Sequence, residues 1–521
     1  MAARMRTDGC RWLVRLSLSY LCLVIPGSVW AQCPATLHTS CATICDSGST
    51  STHCQITSCK KISPGATLDC GTKDVSIQGS LGRLRVEDGV VTLKAHNLSV
   101  GVPDYTTNPT TNRVEAIRTS GSTDGYGIAI ELSGNYFSRG YLKAQGKGGG
   151  SVHLLVEGDV DVHAAGDGIL ADGTGTDSPG GEIVIRSGGS ILLNSSLLAN
   201  SGGSGSALGG RIEVHAAGSV SGGTSGSRIS ANGRAEEGEV GGGGTILLSA
   251  GTDLTLVRVI EAEGGLPYGD GGEVHLEGDS IVINDDAYLT TPATISARGG
   301  VGASGGKAAG GLVTMTAGPG GISIGENSAV ILNMTGGASG AGQDAGALIA
   351  TSDGPIVLDE VLVDAKSNHA GGDGGSISLT AAGSLTIGAA TTLDARGRTV
   401  NSAEGVGDEI RLAGCTVTIT PGATLRTNGY EGGPISIVAR EALYAGGTYN
   451  SSGTGPDGDV PIRLVVRWRG VCSTNWSKKC ADSLDCPGAY CVFGNPSVHS
   501  GASFTPSPPE ILAERSLPSC N

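Results

Sequence analysis

One short motif, Gly-Gly-x-(Ile or Val)-x-aliphatic, returns along most of this chain and limits what it can fold into. Its clearest copies are GGSVHL from Gly149, GGEIVI from Gly180, GGRIEV from Gly209, GGTILL from Gly243, GGEVHL from Gly271, GGLVTM from Gly310, GGSISL from Gly374 and GGPISI from Gly432. Looser copies start at Asp88, Gly125, Gly346 and Gly407. The fourth position is Ile or Val in all twelve: Val91, Ile128, Val152, Ile183, Ile212, Ile246, Val274, Val313, Ile349, Ile377, Ile410 and Ile435. The sixth is aliphatic in eleven, Thr351 being the exception. Successive starts lie about 31 residues apart, a period that signals a stacked repeat architecture.

Two shorter elements recur inside each repeat. One follows a Gly turn, as in GSLTI (Gly383 to Ile387), GDSIVI (Gly278 to Ile283) and GCTVTI (Gly414 to Ile419). The other has the form (Ile or Leu)-x-(Ala or Thr)-x-Gly and begins at Ile117, Leu142, Ile169, Ile229, Ile260, Ile295, Leu393 and Leu425. Aliphatic and polar residues alternate in all three, the two-residue period of a strand with one buried face. No stretch keeps helical apolar spacing for ten residues, and Gly interrupts every candidate, so helices are expected to be absent. Gly should close each strand where the backbone needs positive φ.

Three short strands per repeat, stacked in equal phase at about 4.8 Å, predict an all-β chain: a right-handed parallel β-helix of about 12 coils. Composition agrees. Gly supplies 89 of 521 residues and aromatics only 3%, so the core must be built from stacked aliphatics. Gly has no three-residue period and Pro numbers only 20, which excludes a collagen helix.

Residues 1–31 have the form of a secretory signal: Arg4, Arg6, Arg11 and Arg15 precede the apolar run LSLSYLCLVI, and Val29 and Ala31 are small residues before a cut. That apolar run is too short to span a bilayer, and no later segment is long enough either. Without residues 1–31 the chain carries 30 basic and 48 acidic side chains, a net charge of −18, which makes nucleic acid and anionic membrane poor partners. The expected location is secreted, extracellular or at the cell surface, with the periplasm as an alternative.

The remaining cysteines fall into two terminal groups and one outlier, Cys415. Cys33, Cys41, Cys45, Cys54, Cys59 and Cys70 form the first group, and Cys472, Cys480, Cys486, Cys491 and Cys520 the second. An exported chain favours disulfides over zinc, for which no close Cys pair is echoed by a second pair. Disulfides are expected at Cys33, Cys41, Cys45, Cys54, Cys59, Cys70, Cys472, Cys480, Cys486 and Cys491, with pairing open. The division is thus a signal at 1–31, a Cys-rich N-terminal cap at 32–72, the β-helix at 73–470 and a Cys-rich C-terminal cap or tail at 471–521.

Over about residues 73–465 the repeats resemble those of secreted bacterial β-helix proteins, the group of haemagglutinin-like surface proteins and, more distantly, pectate-lyase-like enzymes. The resemblance implies the fold; for function it implies either a structural or adhesive rod or a carbohydrate-active enzyme, a polysaccharide lyase or glycosidase. A final membrane-barrel strand, as in an autotransporter, is not expected from the ending PSCN.

The outward columns can be searched for chemistry. Glu182 and Arg211 occupy the third motif position on successive coils, with Glu213 diagonal to them, and form the best available set for a carboxylate and base site. A solvated cross-strand ion pair is the simpler expectation, so no catalytic residue is assigned. His153 and His275 share the fifth position four coils apart, about 19 Å, too far for one metal. Asp among Gly at Gly173, Tyr268 and Gly453 forms turns, leaving incidental calcium as the only ion in view, and no cofactor is expected. The heterogeneous fifth column argues against ice binding, and no Gly-x-Ser-x-Gly, phosphate loop or His-Glu-x-x-His occurs. The expected partner is a cell-surface glycan or protein, contacted by a monomer.

Overall fold

A computed structural model describes residues 33–79, 81–101, 115–121, 126–163, 167–203, 205–223, 227–236, 241–266, 268–284, 292–300, 308–326, 329–337, 343–399, 404–456, 458–467, 470–472, 475–480, 491–493, 497–498, 501–506, 508–514, 517 and 520. For the strands between 467 and 497 only the backbone is described. The signal expected at 1–31 and Cys486 lie outside these residues.

The strands build three ladders, and each strand pairs in parallel with its counterpart one repeat on. The Gly-Gly motif strands stack as Val91, Ile128, Val152, Ile183, Ile212 and Ile246. That first ladder continues through Val274 and Val313. The second holds the strands after the Gly turn and merges with the first into a 26-stranded sheet. The third holds the (Ile or Leu)-x-(Ala or Thr) strands in a 16-stranded sheet. Its inward column runs through Leu142, Ile169, Leu197, Ile229, Ile260, Ile295, Leu332, Val363, Leu393 and Leu425. Among the described residues the named strand pairings are parallel except in one small sheet. The inward aliphatics form a single core cluster from Cys41 to Leu464.

Register corrects one motif position. Val313 faces Leu348, and Leu348 faces Ile377, so the fourth position of the copy near Gly346 is Leu348 and not Ile349. Leu348 is 1% exposed and Ile349 is 43% exposed. A one-residue shift in a strand exchanges its two faces. The sixth position then becomes buried Ala350, and the Thr351 exception disappears.

The Gly-Gly corners also have a different cause from the one expected. Gly149 does sit in the left-handed region, at φ 67°, but Gly181, Gly210 and Gly244 do not. They are crowded instead. A Cβ on Gly181 would lie 1.9 Å from the carbonyl oxygen of Gly150, and one on Gly244 the same distance from that of Gly210. Each also donates its N–H, at 2.7 Å, to a buried alanine of the third ladder: Gly181 to Ala171, Gly210 to Ala199 and Gly244 to Ala231. Backbone packs directly on backbone at this corner, and only Gly leaves room.

The Cys-rich N-terminal segment belongs to the same ladders. His53–Ile56 pairs with Asp74–Ile77, Cys59–Ile62 with Arg83–Glu87, and Thr67–Asp69 with Val90–Ala95. A helical turn, Cys41–Ile44, lies near this end, an exception to the expected absence of helix. Its Ser40 makes no capping bond; Ile44 is buried and disulfides Cys41–Cys70 and Cys45–Cys54 fasten both ends. Cys33–Cys59 completes the expected set of six.

At the other end the chain leaves the first ladder after Ile462–Arg467 and forms the small antiparallel sheet of Gly470–Cys472, Asn475–Cys480 and Cys491–Phe493. It then returns: Ser497 and Val498 pair with Tyr444 and Ala445, Ser503–Thr505 with Thr448–Asn450, and Glu510–Glu514 with Arg463–Arg467. Part of the C-terminal tail is therefore another coil. It is fastened by Cys415–Cys520, two cysteines outside the expected disulfide set, and by Phe504 stacked on Tyr449 at 4.6 Å between ring centroids.

Candidate functional site

The in-register ladder brings the three sequence candidates together. Glu182 faces Arg211 across neighbouring strands, and Glu213 stands two residues beyond Arg211 on the same outer face. Arg211 Nη1 donates to Glu182 Oε1 at 3.1 Å, and its Nη2 donates to Glu213 Oε1. His153, placed on the preceding strand, adds its Nε2 to Glu182 Oε2 at 3.0 Å. Arg186 approaches Glu213 Oε2 at 4.0 Å. Glu213 is nearly buried beneath these side chains, with 8% of its side chain exposed.

Electrostatics decide what this cluster can do. Burial alone would raise the Glu182 carboxyl, but hydrogen bonds and charge from His153 and Arg211 outweigh it and hold the group below its ordinary range. A glycosidase acid needs the opposite shift, a carboxyl kept protonated near neutrality. Here both carboxylates grip one guanidinium, which is the arrangement of a cross-strand ion network.

Beside the cluster lies an open groove of about 710 Å³ on the same face. Lys94, Glu131, Leu155, Arg186 and His215 line it, one from each of five successive strands of the first ladder. Lys94 and Glu131 are paired at 2.6 Å, and Leu155 is exposed between the charges.

His275 stands apart from His153. Its Nε2 contacts Glu273 Oε2 at 3.1 Å and its Nδ1 contacts Thr314 Oγ1 at 2.7 Å. Carboxylates in the Asp/Gly loops act as acceptors for backbone N–H groups. Asp177 receives the N–H of Ser206 at 3.0 Å, Asp270 that of Ala309 at 2.8 Å and Asp459 that of Gly453 at 3.0 Å.

Two charged features escape a reading of the sequence by motif. On the third ladder Asp364 and Asp394 are register partners; Lys366 pairs with the first at 2.8 Å, and Arg396 holds the second through two bonds of 2.7 Å. Their alternate-residue spacing, Asp-x-Lys and Asp-x-Arg, is a readable signal. Arg258 has none. It is threaded into the interior, donating to the carbonyls of Leu193 and Ser195, and burial pushes its pKa down to about 10, so it stays charged.

Compared with known proteins, the chain matches no family model, no curated protein and no solved structure. Among the described residues no helix is long and apolar enough to cross a membrane.

Proposed function

We propose that this chain is a secreted, non-enzymatic protein of the bacterial envelope or exterior, a right-handed parallel β-helix of about twelve coils that serves as a structural or adhesive rod. The observation that carries this reading is the saturation of its best charged cluster: Glu182 and Glu213 share Arg211, and Glu182 is held ionised. Four disulfides suit an oxidising exterior. The acidic balance and variable Gly-rich loops suit contact with a glycan or protein at a cell surface. Fractionation of the producing cell tests location, with the protein expected in the surface or released fraction. Recovery in the cytoplasm would overturn it.

A carbohydrate-active enzyme is the second reading, favoured by the groove whose charged lining spans five adjacent strands. Incubation with neutral and acidic polysaccharides separates the two. The rod leaves every polymer at its starting length, whereas depolymerisation abolished by Arg186→Ala or His215→Ala would establish the enzyme.

A further inference from the structure

The N-terminal end gathers four sulfurs from separate parts of the sequence. Cys41 and Cys45 bracket the helical turn, Cys54 lies in the strand His53–Ile56, and Cys70 follows the strand Thr67–Asp69. Two disulfides, Cys41–Cys70 and Cys45–Cys54, are seated against each other, with Cys41 Sγ 3.8 Å from Cys45 Sγ. The Sγ atoms of Cys41, Cys45 and Cys54 all lie within 4.8 Å of one another. A tetrahedral zinc thiolate, with bonds of about 2.3 Å, places its sulfurs about 3.8 Å apart. The non-bonded pair Cys41 and Cys45 already has that separation; Cys70, linked to Cys41, lies outside the group of three and must swing in as the fourth ligand.

We propose that Cys41, Cys45, Cys54 and Cys70 form a redox-gated site for a thiophilic divalent cation, zinc above all: two disulfides when oxidised, one tetrathiolate centre when reduced. Cys41, Cys54 and Cys70 are buried, and Ile44, Ile56 and Leu68 belong to the same core, so the cage is largely dry. The neighbouring carboxylate, Asp46, is occupied by Lys60, Thr57 and Ser58. The strand of Cys54 is held by its pairing with Asp74–Ile77, and the strand before Cys70 by its pairing with Val90–Ala95.

The chemistry balances with a water-soluble trialkylphosphine as reductant. Each disulfide, one phosphine and one water give two thiols and one phosphine oxide. The four thiols then lose four protons as one divalent cation binds.

The test uses the full chain with every cysteine outside the four replaced by serine, so that no other thiol can bind. After phosphine reduction, titration with Co²⁺ should give one equivalent bound with the visible bands of a tetrahedral thiolate complex, displaced by one equivalent of Zn²⁺. The oxidised chain should bind none. Cys45→Ser and Cys54→Ser should each lose the tetrathiolate spectrum. Failure of the reduced chain to bind Co²⁺, an octahedral spectrum, or binding unchanged by Cys45→Ser would overturn the site. So would collapse of the strand circular-dichroism signal on reduction, because the rungs would then not hold the cage.

Discussion

The two ends of the stacked parallel strands close the same ladders by opposite means. At the N-terminal end, three disulfides of short span, with separations of 26, 29 and 9 residues, knit the segment from Cys33 to Cys70. At the C-terminal end the chain departs, forms a small antiparallel sheet and comes back, and one disulfide with a separation of 105 residues fastens the returning coil. An end rung has a neighbour on one side only, so it lacks half the stacking that stabilises an interior rung. Several local links compensate by stiffening the segment. A single long link compensates by removing the freedom of a large loop.

This contrast sets the largest expected effect. Loop-closure entropy gives about 4 to 5 kcal/mol for a link spanning roughly 100 residues and about 2 to 3 kcal/mol for one spanning roughly ten. The double variant Cys415→Ser/Cys520→Ser should therefore destabilise the last coil by about 4 kcal/mol. Amide exchange should speed up at Phe504 and Leu512 and stay slow at interior Leu248. Cys45→Ser/Cys54→Ser should cost less, about 2 to 3 kcal/mol, in denaturant melts of the same protein.

An interior rung calibrates both ends. Leu348→Ala should cost about 3 kcal/mol by cavity formation, while Ile349→Ala on the outer face should change stability by less than about 0.5 kcal/mol. Equal costs would mean that the register is misplaced. At the C-terminal end, Phe504→Leu keeps apolar bulk but removes the stack on Tyr449, for an expected loss of about 1 kcal/mol.

The smallest effect is electrostatic. Glu182 has a lowered folded pKa, so its contribution is present above the ordinary carboxylate range and is lost as pH falls through the depressed value. The group is partly exposed, so solvent screening keeps this contribution well under about 1 kcal/mol. Glu182→Gln should lower stability slightly at neutral pH and flatten its fall in acid, so that variant and parent converge once the carboxyl of the parent is protonated.

Much of the fold is legible in the sequence because parallel stacking repeats the same residue type in the same phase. Aligning the Ile and Val of the Gly-Gly motif is enough to set Glu182 opposite Arg211, and the strand register pairs the same two residues. The copy near Gly346 misleads because Leu348 and Ile349 are adjacent and both apolar; only neighbouring strands decide which faces inward. In the third ladder Leu197 and Val363 escape the motif because Ser201 and Ser367 stand where the other copies have Gly, and Leu332 escapes it because Met334 stands where they have Ala or Thr. The gathering of Cys41, Cys45, Cys54 and Cys70, and the Cys415–Cys520 link, depend on which rungs are adjacent at each end. Spacing along the chain does not carry that information. Arg258 is invisible for a related reason, since its partners are carbonyls more than sixty residues away.

The central claim is that successive repeats stack in one fixed register, and engineered cross-links test it most directly. Thr316 and Thr351 are outward register partners. The motif alignment that places Ile349 in the inward column would instead set Thr316 opposite Ser352. Parallel partners about 4.8 Å apart lie within the Cα range of a disulfide. Under mild oxidation Thr316→Cys/Thr351→Cys should close fully, as read by peptide mapping, and Thr316→Cys/Ser352→Cys should stay reduced. Closure of the second pair in place of the first, or of neither, would contradict the stacked register.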